Sequence, residues 1–306
     1  MAELREGIVV RTHGGHYYVQ TGDEIVDCAI RGRMKKTRVR SDLVVIGDRV
    51  RWSPMEPGFG VIEETLPRRT VLSRRPPPPR PGTIADQEQI IVANPDQVVI
   101  VFTLRNPPFS PLTLDRYLVT CEANALPVVI VGNKVDLLEE EEELAPLRVY
   151  EEIGYRVLYT SIETSEGIET LRDLLRGKLS VLTGPSGVGK SSLLNALWPH
   201  LALQVGEISE YHDRGRHTTA VASLLHPEPD IYVADTPGMR TFLLWDIEPE
   251  QLEAFFPEMR PYLGQCRFTP CTHIHEPQCA VIAAVERGEI DALRYESYCK
   301  MFIQEI

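Results

Sequence analysis

Through the first 72 residues apolar and polar positions alternate in short pieces, "GIVVRTHGGHYYVQT", "IVDCAIRG", "DLVVIGDRVRW" and "GFGVIEETLP", with Gly and charged turns between them. A period of two bounded by turn residues predicts half-buried strands. So many in so short a span predict a small antiparallel barrel, most economically a five-stranded OB-fold. From residue 89 the pattern changes to continuous Val/Ile runs, "QVVIVFTL", "PVVIVGNKVDLL", "YRVLYTSI" and "DIYVADTPG". Helical periodicity separates them, around "LTLDRYLVTCEANA" and "EEELAPLRVYEEIG". Strands apolar on both faces and alternating with helices predict a parallel sheet covered on both sides, an α/β nucleotide-binding architecture. After about residue 246 the pattern turns helical, is interrupted by a Cys/His cluster, and resumes helix from "CAVIAAVERGEI". The proline run in "SRRPPPPRPG" fits neither a helix nor a central strand and predicts a stiff linker. Three domains are expected: a barrel over 1–75, a nucleotide-binding domain over 76–246 and a helical metal-binding domain over 247–306.

Composition sharpens this picture in three places. The net charge of -12 argues against a nucleic-acid-binding surface over the whole chain, yet residues 1–80 hold 15 Lys+Arg against 10 Asp+Glu, so basic surface is confined to the barrel end. The acidic run Glu139 to Glu143 reads as a solvated helix start. Six cysteines could pair, but Cys28 and Cys121 stand alone while Cys266, Cys271 and Cys279 crowd near His273, which favours a metal over a disulfide framework. No apolar run approaches the roughly 20 residues of a membrane span. "MAELREG" lacks a signal-peptide core, so a cytoplasmic protein is expected.

The chemistry begins with "GPSGVGKS", which follows one apolar strand and precedes the helix "SSLLNALW". This is the context a phosphate-binding loop requires. Gly184, Pro185, Ser186, Gly187, Val188 and Gly189 would curl backbone N–H groups around a β-phosphate, Lys190 would add charge between the β- and γ-phosphates, and Ser191, followed by Ser192, would ligate Mg²⁺. "ADTPG" ends a later strand, where Asp235 can hold the Mg²⁺ through water and the Gly238 N–H can approach the γ-phosphate. "NKVD" chooses the base. The Asp136 carboxylate accepts from guanine N1–H and its exocyclic amine, which adenine cannot match. Asn133 can brace the loop or meet the purine's other edge, Lys134 can lie along the ring, and "TSIET" around Ser161 can offer a backbone N–H to guanine O6. In "RGRHTTAVASLL" a threonine, Thr219 ahead of Thr218, can complete the Mg²⁺ shell. Where many GTPases carry a water-orienting Gln after D-x-x-G this chain has Met239, and His217 is the candidate for that task.

The base-reading motif precedes the phosphate loop, the reverse of the usual order. A sheet core can be cut in one loop and its old ends joined with the three-dimensional site unchanged, so the order predicts a circularly permuted GTPase.

With "VIGDRVRW", "VANPDQVVIV", "NKVD", "GPSGVGKSSLLNAL", "GRHTT", "DTPG" and "CRFTPCTHIHEPQCAV" the chain resembles the RsgA (YjeQ/EngC) family over nearly its whole length. The resemblance implies an OB-fold, a permuted GTPase domain and a C-terminal zinc domain, acting in late assembly of the bacterial small ribosomal subunit. It also implies weak intrinsic GTP hydrolysis stimulated by that subunit, and a catalytic role for His217. Cys266, Cys271, His273 and Cys279 then supply three thiolates and an imidazole for a structural Zn²⁺, with His275 a rival that the resemblance disfavours.

The basic run "RGRMKKTRVR", with Arg31, Arg33, Lys35, Lys36, Arg38 and Arg40, lies between two barrel strands, and OB-folds commonly present such loops to nucleic acid. Fold and resemblance together point it at rRNA. Tyr17, Tyr18 and Trp52 could stack bases, although aromatics in small barrels are more often core. The expectation is a monomeric GTPase that binds GTP and GDP and uses nucleotide state to time its departure from the small subunit. Its rivals are a GTP-dependent RNA-binding scaffold and a permuted GTPase of the large subunit.

Overall fold

The computed structural model describes residues 4–32, 44–74, 89–203, 223–235 and 247–303. Five strands form the barrel: β1 (Arg5–His13), β2 (His16–Thr21), β3 (Glu24–Ile30), β4 (Arg49–Glu56) and β5 (Phe59–Thr65). Strands β1 to β3 pair antiparallel in sequence, β3 pairs parallel with β5, and β5 returns through β4 to β1, closing the OB-fold. Alternation aims Val9, Val19, Val26, Cys28, Val50 and Ile62 inward around Trp52, whose indole N–H donates to Thr21 Oγ1 at 3.0 Å. Trp52 is thus a core residue, and Tyr17 packs against the same cluster.

Two short strands, β6 (Val71–Arg74) and β7 (Gln89–Ala93), form a separate antiparallel pair. The sequence pattern did not anticipate β6, because four residues are too few to show a period.

The central sheet contains β8 (Gln97–Thr103), β9 (Val128–Asn133), β10 (Arg156–Thr160), β11 (Leu179–Thr183), β12 (Ser223–Glu228) and β13 (Ile231–Asp235), in the spatial order β10-β9-β8-β11-β13-β12. All pairs are parallel except β12 with β13. Every residue of β8 and β11 is buried, as expected of strands covered on both faces. The covers include α1 (Pro111–Ala123), α2 (Ala145–Ile153), α3 (Ile168–Leu175) and α4 (Lys190–Leu197). Late-coming β11 inserts between β8 and β13, so the chain lays down one half of the sheet before the strand that carries the phosphate loop.

At the far edge β12 meets β1 through the pair Arg11 and Ser223, making barrel and core one continuous 11-stranded sheet. A second seam lies at the loop before β4. The Gly47 N–H donates to Val9 O at 2.8 Å, Gly47 O accepts from Asn94 Nδ2 at 3.0 Å, and the Ala93 N–H donates to Ile46 O at 2.9 Å. Beside it the fully buried Asp48 accepts from Arg68 through Nε at 2.7 Å and Nη2 at 2.8 Å.

The C-terminal part consists of two 3₁₀ segments, Pro249–Phe255 and Pro257–Tyr262, with α5 (Ala280–Glu286) and α6 (Ala292–Phe302). Phe256, Met259, Val281, Ala284 and Tyr298 form its core, to which α1 contributes Val119. No helix among the described residues is long and apolar enough to cross a membrane.

Gly47 sits at φ +83°, and a Cβ there would stand 2.0 Å from Ala93 O, whereas Gly22 at φ +57° faces open space. Gly47→Ala should therefore cost roughly 3 kcal/mol, strain plus the forced opening of the seam, and Gly22→Ala about 1 kcal/mol from strain alone. Denaturant titration of both variants checks the ordering; equal losses would show that the seam yields freely.

Candidate active site and metal centre

The loops that follow β8, β9, β10 and β11 meet at one end of the parallel sheet, where ligands gather in open α/β folds. The phosphate loop leaves β11 at Gly184, whose φ of +138° and missing Cβ let the backbone pass Val101 O, 2.1 Å from where that carbon would be. Gly189, at φ +95°, is equally constrained, since a Cβ would lie 2.5 Å from Asn133 Nδ2. Between them Val188 is buried as an anchor, while Ser186 and Gly187 are exposed at the crest. Helix α4 starts without a side-chain cap, leaving its first-turn N–H groups directed at the loop's concavity. Lys190 Nζ folds over the loop and donates to the carbonyls of Gly184 at 2.8 Å and Pro185 at 2.7 Å. Ser191 is buried at the helix start, with Ser192 half-buried beside it.

The base-reading loop is fastened to the phosphate loop by side chains. Asn133, 2% exposed, donates through Nδ2 to Val188 O at 2.8 Å and accepts from Thr160 Oγ1 at 3.0 Å. Of the two roles open to it in the sequence, it takes the bracing one. Lys134, at φ +62°, donates through Nζ to Gly187 O at 2.8 Å and to Asn106 O at 2.7 Å, so its stem runs across the site. Asp136 is exposed and accepts from the Ser161 hydroxyl at 2.5 Å. The Ser161 N–H is already committed to Glu166 O at 3.0 Å. The next amides, those of Ile162 and Glu163, have no hydrogen bond among the described residues, and that of Ile162 is the nearer in sequence to Ser161.

Asp235 lies at the end of β13, its backbone beside Leu182 in the β11–β13 register. His217, Thr218, Thr219, Gly238 and Met239 lie outside the described residues, as do Arg33, Lys35, Lys36, Arg38 and Arg40. Arg31 is described, and its guanidinium pairs with Glu63 of the barrel wall at 2.6 Å.

In the C-terminal part Cys266, Cys271, His273 and Cys279 converge, their ligand atoms all within 4.8 Å of one another, and this set could hold a zinc ion. His273 Nδ1 lies 3.5 Å from Cys266 Sγ and 3.2 Å from Cys279 Sγ. Its other nitrogen, Nε2, is 2.6 Å from Glu253 Oε2, an arrangement that fixes the ring and leaves Nδ1 for a metal. The N–H groups of Ala280 and Ile282 point at Cys266 Sγ and Cys279 Sγ, at 3.4 and 3.5 Å, and favour thiolates. Burial pushes the Cys271 thiol up to about 12, a cost that a divalent cation removes. His275 is exposed and stands outside the cluster.

Sequence reasoning missed Glu253, Thr160, Ile162 and Asn106. Thr160 carried a faint signal as a hydroxyl ending an apolar strand. Asn106 holds Lys134, and Ile162 offers a candidate donor, through backbone atoms that any residue supplies, and Glu253 is one carboxylate among many.

Residues 65–245 match the family model described as RsgA GTPase, and residues 6–62 match that described as RsgA N-terminal domain. A Moorella thermoacetica protein named small ribosomal subunit biogenesis GTPase RsgA is 45% identical over 301 residues, covering 98% of this chain and 97% of the relative. A Thermotoga maritima protein of the same name is 44% identical over 306 residues, covering 98% and 96%. Among solved structures, that of YjeQ from Thermotoga maritima superposes with a TM-score of 0.77 at 38% identity, covering 99% of this chain and 98% of its own. The structure of YloQ, described as a circularly permuted GTPase, gives 0.74 at 32%, covering 99% and 95%.

Chelator competition tests the metal centre. The purified protein should yield zinc, and Glu253→Gln should lower zinc affinity about 10–100-fold by withdrawing the anionic partner of His273. Unchanged retention would mean that the imidazole is oriented without it.

Proposed function

From the premise that this chain belongs to the RsgA family and is a GTP hydrolase, we propose that it binds the small ribosomal subunit and assists its late maturation. In this reading the subunit stimulates hydrolysis, and nucleotide state governs grip and release. Residues 1–75 face rRNA, 76–246 turn over the nucleotide, and 247–306 form a module stapled by zinc on Cys266, Cys271, His273 and Cys279. The protein works as a cytoplasmic monomer. The observation that carries the nucleotide reading is the fastening of the base loop to the phosphate loop by Asn133 and Lys134 across a permuted sheet.

In the proposed mechanism Asp136, held by the Ser161 hydroxyl, accepts from guanine N1–H and its exocyclic amine. The Ile162 N–H reaches O6, and the Lys134 stem covers one face of the ring. The N–H groups of residues 187–191 surround the β-phosphate, with Gly184 through Ser192 shaping the cradle. Lys190 exchanges its carbonyl partners, Gly184 and Pro185, for β- and γ-phosphate oxygens. Ser191, Thr219 and Asp235 would hold Mg²⁺, which when bound neutralises charge across the β- and γ-oxygens. His217 orients the water whose oxygen bonds to the γ-phosphorus as the bond to the β–γ bridging oxygen breaks and GDP departs with that electron pair. The Gly238 N–H senses the γ-phosphate. Arg33, Lys35, Lys36, Arg38 and Arg40 engage rRNA phosphates, while Arg31 contributes from its place at the barrel wall.

Turnover measured with purified small and large subunits tests the partner. Stimulation by the small subunit alone is expected; stimulation by the large subunit, or by neither, overturns the reading. His217→Ala should lower the stimulated rate about 10²-fold with little change in nucleotide affinity, and an effect no larger than that of Met239→Ala would move water positioning to another group.

Asp136→Asn should weaken GTP and favour xanthosine triphosphate, whose C2 oxo group receives the amide donor. Competition between the two nucleotides reads this directly. Retained GTP preference would remove Asp136 from base selection.

A further inference from the structure

Helix α1 is a wall shared by two cores. Leu114, Leu118 and Cys121 face the central sheet, whereas Val119 belongs to the C-terminal cluster. Between these faces lies a buried charge contact, with Asp115 0% and Arg294 1% exposed. The Arg294 guanidinium donates through Nη1 to Asp115 Oδ1, and through Nε and Nη2 to both oxygens of Glu258 at 2.7 and 3.1 Å. It lies over Phe256, 4.6 Å from the ring centroid, and Tyr150, 5.4 Å away. One side chain of α6 therefore clamps the C-terminal part to α1. A second tie joins the far end of the helix, where Arg260 reaches Glu122 at 2.6 Å.

The contact continues toward the nucleotide site without a gap. The Tyr150 hydroxyl donates to Asp115 Oδ1 at 2.8 Å, and its ring meets Phe109 edge-on at 6.4 Å. Phe109 belongs to the turn that opens α1, closed by Thr103 Oγ1 donating to Pro107 O at 2.6 Å. From that turn the Asn106 carbonyl accepts Lys134 Nζ at 2.7 Å. Lys134 is thus held from two sides, by Gly187 of the phosphate loop and by a turn whose position follows that of α1.

We infer that Arg294 and Asp115 are positioning residues for Lys134, so that seating of the C-terminal part on α1 slows release of guanine nucleotide. The inference rests on the assignment of Lys134 to the guanine face. A partner that pries the C-terminal part from α1 would loosen the nucleotide, and by linkage bound nucleotide tightens the seating. An arginine suits it because a planar fork can serve two carboxylates at once, which a lysine cannot.

The test uses the full-length, zinc-loaded chain and displacement of a fluorescent GDP analogue. Arg294→Lys should speed release about tenfold, within the usual span of coupling between sites. Lys134→Ala should speed it too, and the double variant should release no faster than Lys134→Ala alone. A merely structural role for Arg294 predicts instead that the two effects multiply, and that outcome, or release from Arg294→Lys at the parental rate, overturns the inference. Should Lys134→Ala itself leave release unchanged, the guanine-face assignment fails first and the inference with it. Hydrogen exchange on the unaltered protein provides an arm free of folding defects. GDP saturation should slow amide exchange in α6 and in residues 257–262, and unchanged exchange there contradicts the coupling.

Discussion

The buried carboxamide of Asn133 is the interaction on which the site depends. It ends β9, accepts from the end of β10 through Thr160, and donates into the phosphate loop at Val188 O. At 2% exposure neither end of the amide has water as a substitute, so each broken bond would cost about 1–3 kcal/mol. The loops thus joined are far apart in sequence, and lateral bonding holds them together. That is why the covalent order of the chain can be permuted without moving the site: the β8–β11 ladder and the side chains of Asn133 and Lys134 hold the two loops together whichever is laid down first.

What could be read from the sequence follows a physical divide. Apolar runs covered on both faces, as in β8 and β11, announce a parallel sheet directly, and the Gly-rich loop announces itself because three backbone positions exclude a Cβ or demand positive φ. The cysteine spacing points to a metal centre, and His273, with His275 exposed outside the cluster, lies with the three cysteines in a set that could hold zinc. Roles carried by backbone atoms left no trace, as with Asn106 O under Lys134. The Ser161 N–H was a reasonable donor for a base until the turn engaged it with Glu166 O, a partner set by loop conformation. Arg31 stands in the sequence as one member of a basic run, and its pairing with Glu63, 32 residues away in the barrel wall, has no sign in that run.

Contacts between domains were the least legible. Val119 reads as one apolar position among several on a helix, and its allegiance to the C-terminal core appears only with that core in place. Asp115 and Arg294 are 179 residues apart, and each alone would be taken for a solvated charge. Burial with complementary partners converts them into a specific fit, because a charge that loses its counterion in the interior is far costlier than one at the surface.

The junction of β1 with β12 bears on how the flank of the central sheet is covered. An open parallel sheet has two flanks, and a flank with unpaired backbone groups is a template for a neighbouring molecule. On one side β10 is only five residues long and begins with the exposed Arg156, which blunts it. On the other, β12 is backed by the barrel through the Arg11–Ser223 pair. The barrel therefore serves as a lid on the central sheet as well as a module in its own right. A core cut free of its first 65 residues would keep its strands and lose that protection, leaving β12 to find its pairing in another copy.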